Sequence, residues 1–166
     1  DQAALWAGIN QGIIQVVATD HCPFKWEQKL MGKDDFSKIP NGHPAIEHRV
    51  ELLYSEGVRT GKITLNKFVE VLSTNPAKIF GMHPRKGCIA PGADADIVLF
   101  DPNQKHTISA ATHHMNTDYS GYEGWELTGK CKTVLLRGKV VIDDGKCLVE
   151  KGNGKYIKRS KVGGII

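Results

Sequence analysis

Gln15-Val16-Val17-Ala18-Thr19-Asp20-His21-Cys22-Pro23, residues 15–23, sets the expectation for the architecture. Residues 15–19 are short, β-branched and largely apolar, the composition of a strand buried on both faces of a parallel sheet. The run stops abruptly on a carboxylate. In a βα-barrel the carboxyl ends of the strands form the floor of the active site, so Asp20 at such an end is a candidate catalytic residue. Aspartate also favours turns, and Asp20-His21-Cys22-Pro23 reads equally well as local turn chemistry.

Upstream, Leu5, Ile9 and Ile13 recur at a spacing of four behind acidic Asp1, the pattern of an amphipathic helix, and Gly12 sits where that helix should end. The chain opens without methionine and without a basic stretch followed by an apolar one, so its start resembles a cut through a longer protein. Downstream, residues 24–40 are mixed and charged without a period. They suggest a long loop, and loops of this length are frequently functional. Pro44 suits the first turn of a helix with Ile46, Val50 and Leu53 on its apolar face and Gly57 as its stop. Thr64 can cap another helix whose buried side is Leu65, Phe68, Val69 and Leu72, and Asn75-Pro76 opens a third that ends at Gly81. Beyond Gly81, Gly87, Pro91 and Gly92 punctuate the chain, and strand-like runs follow at 96–100, 105–109, 133–137 and 139–143. Arg137-Gly138 and Asp143-Asp144-Gly145 read as tight turns. Two segments are expected, a helical one over 1–81 and a β-rich one over 82–166.

At 166 residues and 40% hydrophobic content the chain can bury a sizeable core. Its apolar runs fall far short of the roughly 18 residues a membrane-spanning helix requires, so no membrane partner is expected. Twenty-two Lys and Arg against 18 Asp and Glu, a net charge of +4, imply no dedicated nucleic-acid partner. The local excess at Lys151, Lys155, Lys158, Arg159 and Lys161 reads as a solvated tail, with docking on phosphates or acidic partners as the alternative. Cys22, Cys88, Cys131 and Cys147 lack zinc-site spacing and read as free thiols of a reducing cytoplasm.

Several motifs together carry a resemblance. Val16-Val17-Ala18-Thr19-Asp20-His21-Cys22-Pro23-Phe24 resembles the last barrel strand and following loop of hydantoinases and dihydropyrimidinases. Ile39-Pro40-Asn41-Gly42 with Pro44, Ile46-Glu47 and Arg49, then Leu53 and Ser55-Glu56-Gly57-Val58, is similar to the substrate loop and following helix of that family. Ser73-Thr74-Asn75-Pro76-Ala77-Lys78-Ile79-Phe80-Gly81 and Gly87-Cys88-Ile89-Ala90-Pro91-Gly92-Ala93-Asp94-Ala95-Asp96-Ile97-Val98 resemble its passage from barrel to β-sandwich. His114-Met115-Asn116 and the stretch from Tyr122-Glu123-Gly124 to Gly129 match as well, so the likeness runs in order along essentially the whole chain.

The resemblance implies an α/β fold: the C-terminal part of a metal-dependent-hydrolase TIM barrel, with its last strand and helices, followed by part of a β-sandwich. It implies hydrolytic opening of cyclic amides, dihydropyrimidines and 5-substituted hydantoins, by a metal-bound hydroxide. Two divalent metal ions, usually zinc, activate that hydroxide. Asp20 would ligate a metal and act as general base, since one carboxylate oxygen can hold the ion while the other accepts a proton. Asn41 and Gly42 match the segment whose main chain bonds the ring amide, though locally they also read as an ordinary turn. His43 stands where relatives often have a small residue. His21 beside Asp20 reads either as a group lining the pocket behind the ligands or as a turn or packing residue.

The His-x-His pair, the carboxylated lysine bridge and two further histidines of the family site are expected before residue 1. None of the seven histidines here forms His-x-His, and adjacent His113-His114 read as structural. The segment alone is therefore expected to be inactive. Homo-tetrameric assembly is implied, with residues 156–161 as an assembly arm. Three alternatives stand beside this reading: a non-catalytic dihydropyrimidinase-related assembly protein, which would lack the carboxylate that Asp20 supplies; another cyclic amidohydrolase, allantoinase or dihydroorotase; and, more remotely, an independent binding module.

Overall fold

The computed structural model describes residues 1–161, so 162–166 of the expected β-rich segment lie outside the described residues. The class is α/β, with helices through the first half and one four-stranded sheet in the second. Helix α1 (Gln2–Asn10) starts at Asp1 and closes through Gly12 at φ 74°, where Gly12 N–H reaches Ile9 O at 3.1 Å and Ile13 N–H reaches Gly8 O at 2.9 Å. This is the left-handed glycine cap the sequence suggests. Only Ile9 of the expected apolar face is buried, while Leu5 and Ile13 are exposed.

Residues 15–19 join no ladder among the described residues. The expected strand is corrected in that respect, because its backbone is bonded by helices and not by neighbouring strands. Val17 N–H donates to Val71 O at 3.2 Å, Arg49 Nη1 donates to Val17 O at 3.4 Å, and Asn75 Nδ2 donates to Gln15 O at 3.0 Å. Asn75 is 2% exposed and also reaches Glu70 Oε1 at 3.3 Å. A buried amide satisfied this way holds the run in place, since its loss would strand a half-buried carbonyl at a cost of about 1 kcal/mol.

Residues 24–40 are not a plain loop. They form α2 (Trp26–Lys29) and two short 3-10 turns, Leu30–Gly32 and Phe36–Lys38, the second capped by Asp35, whose carboxylate accepts from Ser37 N–H at 3.1 Å. Helix α3 (Arg49–Leu53) begins later than Pro44 suggests and continues as a π turn over Tyr54–Val58. Gly57 does not stop it. A Cβ there would lie 3.0 Å from Ile63 and Trp6, so the glycine serves close packing.

Thr64 caps α4 (Leu65–Val69) by accepting from Lys67 N–H at 3.1 Å, and a second π turn, Glu70–Thr74, leads into α5 (Asn75–Ile79). The wider π turns rotate the following residues off the regular helical phase. Phe68 of α4 and Val71 of the π turn are buried, while Leu65 and Val69, expected inside, are exposed.

Strands β1 (Ile97–Thr107), β2 (Glu126–Leu136), β3 (Lys139–Asp143) and β4 (Lys146–Cys147) follow in antiparallel order β1-β2-β3-β4. The runs at 96–100 and 105–109 merge into one strand. The register slips between Asp101 and Lys105, where the Asp101 carboxylate accepts from Asn103 N–H at 2.8 Å and Gln104 N–H at 3.2 Å. The two hairpin turns are as expected, with φ 51° and 77° at Arg137-Gly138 and 44° and 80° at Asp144-Gly145.

The core joins both halves. Ile9, Leu53, Tyr54, Ile63, Phe68 and Val71 pack together, and Phe100 of β1 inserts against Tyr54 at 4.7 Å and Phe68 at 6.3 Å between ring centroids. Each such large side chain contributes about 1.5–3 kcal/mol by leaving water. Val17 of the 15–19 run packs against this core. No described helix is long and apolar enough to cross a membrane.

Candidate functional site

The 15–19 run delivers Asp20 to the surface with a left-handed backbone, φ 45°. Aspartate tolerates this region better than most residues, but a non-glycine there is uncommon and concentrates at functional sites. Its carboxylate makes no hydrogen bond to any described residue, so it caps no turn within them.

The next residue turns inward. His21 Nδ1 accepts from Ala45 N–H at 3.2 Å and Ile46 N–H at 3.4 Å, which makes the ring a cap for the turn that precedes α3. One parallel bridge pairs His21 with His43, and Cys22 N–H donates to His43 O at 3.4 Å. Gly42 lies hard against this crossing, since a Cβ on it would stand 2.3 Å from Cys22 O. Asp20, His21 and the 41–43 segment are thereby gathered into one patch.

A cleft of about 510 Å³ opens beside it, with Val17, Thr19, His43, Arg49 and Tyr122 among its lining. On the far side of His21 a larger cleft of about 700 Å³ is walled by Glu47, His48, Glu51, His106 and His113. Asp20, Asn41 and Gly42 line neither cleft.

Sequence reasoning passed over the aromatic rim. His43 meets Tyr122 edge-on at 5.5 Å and Tyr119 at 6.4 Å, and Trp26 meets Tyr119 at 5.6 Å. Gly121 is required under His43, as a Cβ there would lie 2.0 Å from Nε2. The crowding of Tyr119, Tyr122 and Trp125 within a few residues was the available signal. Burial, and then the neighbouring Asp118, pushes the Tyr119 hydroxyl above its ordinary range, so it stays a neutral phenol.

His113 and His114 each engage the protein. His114 Nδ1 lies 2.8 Å from Glu47 Oε1 and its N–H donates to Glu47 Oε2 at 2.6 Å, while the His113 ring stacks on His48 at 6.1 Å. Burial alone would raise the Glu47 carboxyl, but the two hydrogen bonds from His114 outweigh it and hold it below the ordinary range. His106 Nε2 stands 2.9 Å from Glu51 Oε2.

His48 is 6% exposed, and its Nε2 finds no partner among the described residues. Burial lowers its pKa below the ordinary 6.5, Glu47 opposes this, and nearby His113 and His106 reinforce it. The unfolded chain therefore binds the proton first as pH falls through about 6.5, and folding stability declines from there downward. Thermal midpoints recorded from about pH 7.5 to about pH 5.5 should fall, and the fall should be shallower for His48→Gln. An equal slope in both proteins would remove His48 from this account.

Among the described residues no three His, Cys, Asp or Glu side chains lie close enough together to hold a metal ion. Asp20, exposed and unbonded, fits the part of one ligand; the described residues do not complete a metal centre.

Comparison with known proteins matches residues 1–141 to the amidohydrolase family. The chain is 49% identical over 166 residues to the D-hydantoinase of Geobacillus stearothermophilus, covering 99% of this chain and 35% of that protein. It is 46% identical over 160 residues to a D-phenylhydantoinase of Escherichia coli O1:K1 / APEC, covering 96% of this chain and 35% of that one. Among solved structures it is similar to dihydropyrimidinase from Brevibacillus agri NCHU1002, with TM-score 0.95 and 52% identity over 98% of this chain and 35% of the other. It is also similar to L-hydantoinase (dihydropyrimidinase) from Arthrobacter aurescens, with TM-score 0.86 and 33% identity over 93% and 34% of the two chains. The chain thus spans about 35% of the length of the curated relatives it matches.

Proposed function

We propose, since the chain belongs to the amidohydrolase family, that it is the C-terminal segment of a metal-dependent hydrolase that opens cyclic amides of the dihydropyrimidine and 5-substituted hydantoin type. On this reading residues 1–81 finish a (β/α)8 barrel and 82–166 contribute to a β-sandwich. Members of the family are generally metal-dependent, and two divalent ions, zinc by preference, would supply an activated water and a polarised carbonyl when bound. Asp20 would hold one of them and move the proton from the attacking water to the departing ring nitrogen. The other ligands, a carboxylated lysine among them, would come from outside these residues, so the segment alone would be inert. A cytoplasmic homo-tetramer is the assembly we infer.

The observation that supports this reading most is the crossing of Cys22 and His43, with Gly42 against Cys22 O. It sets the Asn41-Gly42 backbone beside residues 20–22. A planar ring amide offers one N–H and one C=O, and an exposed main-chain segment presents the complementary pair. Proton transfer by Asp20 then takes place on a ring held by groups that do not themselves titrate.

The test is a ring-opening assay on the full-length polypeptide that contains this segment. Dihydrouracil and a 5-substituted hydantoin should be opened, with allantoin and dihydroorotate turned over far more slowly. Faster turnover of either of the latter would move the assignment to another cyclic amidohydrolase. Absence of turnover with all four, in metal-replete protein, would favour a non-catalytic assembly protein.

A further inference from the structure

Lys29 is the last residue of α2, inside the stretch that looked like a loop, and its ammonium spans to the 40–42 segment. Nζ donates to Gly42 O at 2.7 Å and also to Pro40 O. It lies 5.0 Å from the centroid of the Phe24 ring, so the cation is steadied from the Asp20 loop as well. The two carbonyls it holds flank Asn41.

This geometry dictates where Asn41 presents its own main chain. The Pro40 carbonyl and the Asn41 N–H belong to one planar trans peptide and point in opposite directions. Fixing the carbonyl on Lys29 turns the Asn41 N–H away from it. Gly42 O is fixed in the same manner, and Gly42 at φ 133° against Cys22 has no slack to relax. The Asn41 N–H and C=O bond to no other described residue, whereas the carbonyls on either side are both engaged.

We propose that Lys29 is a positioning residue for substrate, one that orients the Asn41 main chain toward the ring amide by clamping the carbonyls before and after it. The proposal rests on the reading of Asn41-Gly42 as the substrate-binding segment. An ammonium suits the role because it carries three donors and no acceptor, so it can serve two carbonyls at once without competing for the ring's N–H. Clamping adds to ground state and transition state alike, so its loss should appear in KM and leave kcat nearly intact.

Lys29→Met and Lys29→Arg in the full-length enzyme, assayed with dihydrouracil, test this. Lys29→Met should raise KM by about tenfold while kcat stays within about threefold, and Lys29→Arg should recover most of the lost affinity. Amide hydrogen exchange over residues 41–43 should be faster in Lys29→Met, and its thermal midpoint should stay close to wild type. An active wild type whose KM and exchange are both unchanged by Lys29→Met would overturn the Lys29 proposal alone. A kcat loss without a KM change, or one that Lys29→Arg does not repair, would likewise overturn it. A wild type that opens no cyclic amide would overturn the reading beneath it, and the role of Lys29 toward substrate along with that reading.

Discussion

Asp20→Asn in the full-length protein is expected to lower kcat for ring opening by roughly 10²- to 10⁴-fold, the range seen when a positioned acid–base group is lost. KM should change little beside this. Asparagine keeps the size and one oxygen of aspartate, and it also tolerates the left-handed backbone that position 20 adopts at φ 45°. What it removes is the basic lone pair and the charge. The carboxylate is exposed and bonds to no described residue, so no packing or capping energy is lost with it. Circular dichroism should therefore match the wild type. Unimpaired turnover in Asp20→Asn would remove the proton-transfer role outright.

Gly42→Ala should act through geometry. At φ 133° an L-residue is strained, and here the added Cβ would meet Cys22 O at 2.3 Å and Cys22 Cβ at 2.6 Å. Both obstacles belong to the Asp20 loop, and the nearer one is backbone, so neither can rotate aside. The crossing of residues 22 and 43 must open instead. We expect a loss of about 2–4 kcal/mol in stability, from backbone strain and overpacking together, and a rise in KM of at least roughly tenfold. Gly12→Ala is the control, because Gly12 also has positive φ at 74° but a Cβ there meets nothing within 4 Å. It should cost about 1 kcal/mol and leave KM alone. Urea midpoints and initial-rate kinetics on both variants separate strain from collision. Equal effects at the two positions would show that the Cys22 contact carries no weight.

Features written in short-range chemistry were legible from the chain itself. The Gly12 cap, the Thr64 cap and the turns at Arg137-Gly138 and Asp144-Gly145 each follow from what one or two residues permit the backbone to do. Features set by distant partners were not. The bonds on Gln15 O and Val17 N–H come from Asn75 and Val71, more than fifty residues along the chain, and nothing in a β-branched run announces helical partners. Val71 takes a buried place inside the π turn Glu70–Thr74, which a regular helical count does not foresee, while Leu65 and Val69, counted inside, are exposed. Pro102 concealed the continuity of β1, which an Asx turn at Asp101 restores.

At the site, Asp20 stood out because a charge ends an apolar run, and Asn41-Gly42 because of the family pattern. The acceptor role of His21 toward Ala45 and Ile46, the buried His48 and the clamp on Pro40 and Gly42 were invisible, since each depends on two loops meeting. His21 is the instructive case: besides its place next to Asp20, its ring braces the turn before α3, a bond that a reading of neighbouring residues cannot foresee.

Asp20 as a metal ligand is the claim on which the rest depends, and elemental analysis of the full-length protein tests it most directly. Wild type and Asp20→Ala should be purified side by side in the presence of zinc and then freed of loosely bound ions. The account predicts stoichiometric divalent metal in the wild type and markedly less in Asp20→Ala, with unchanged circular dichroism. Equal metal content in the two proteins would contradict it.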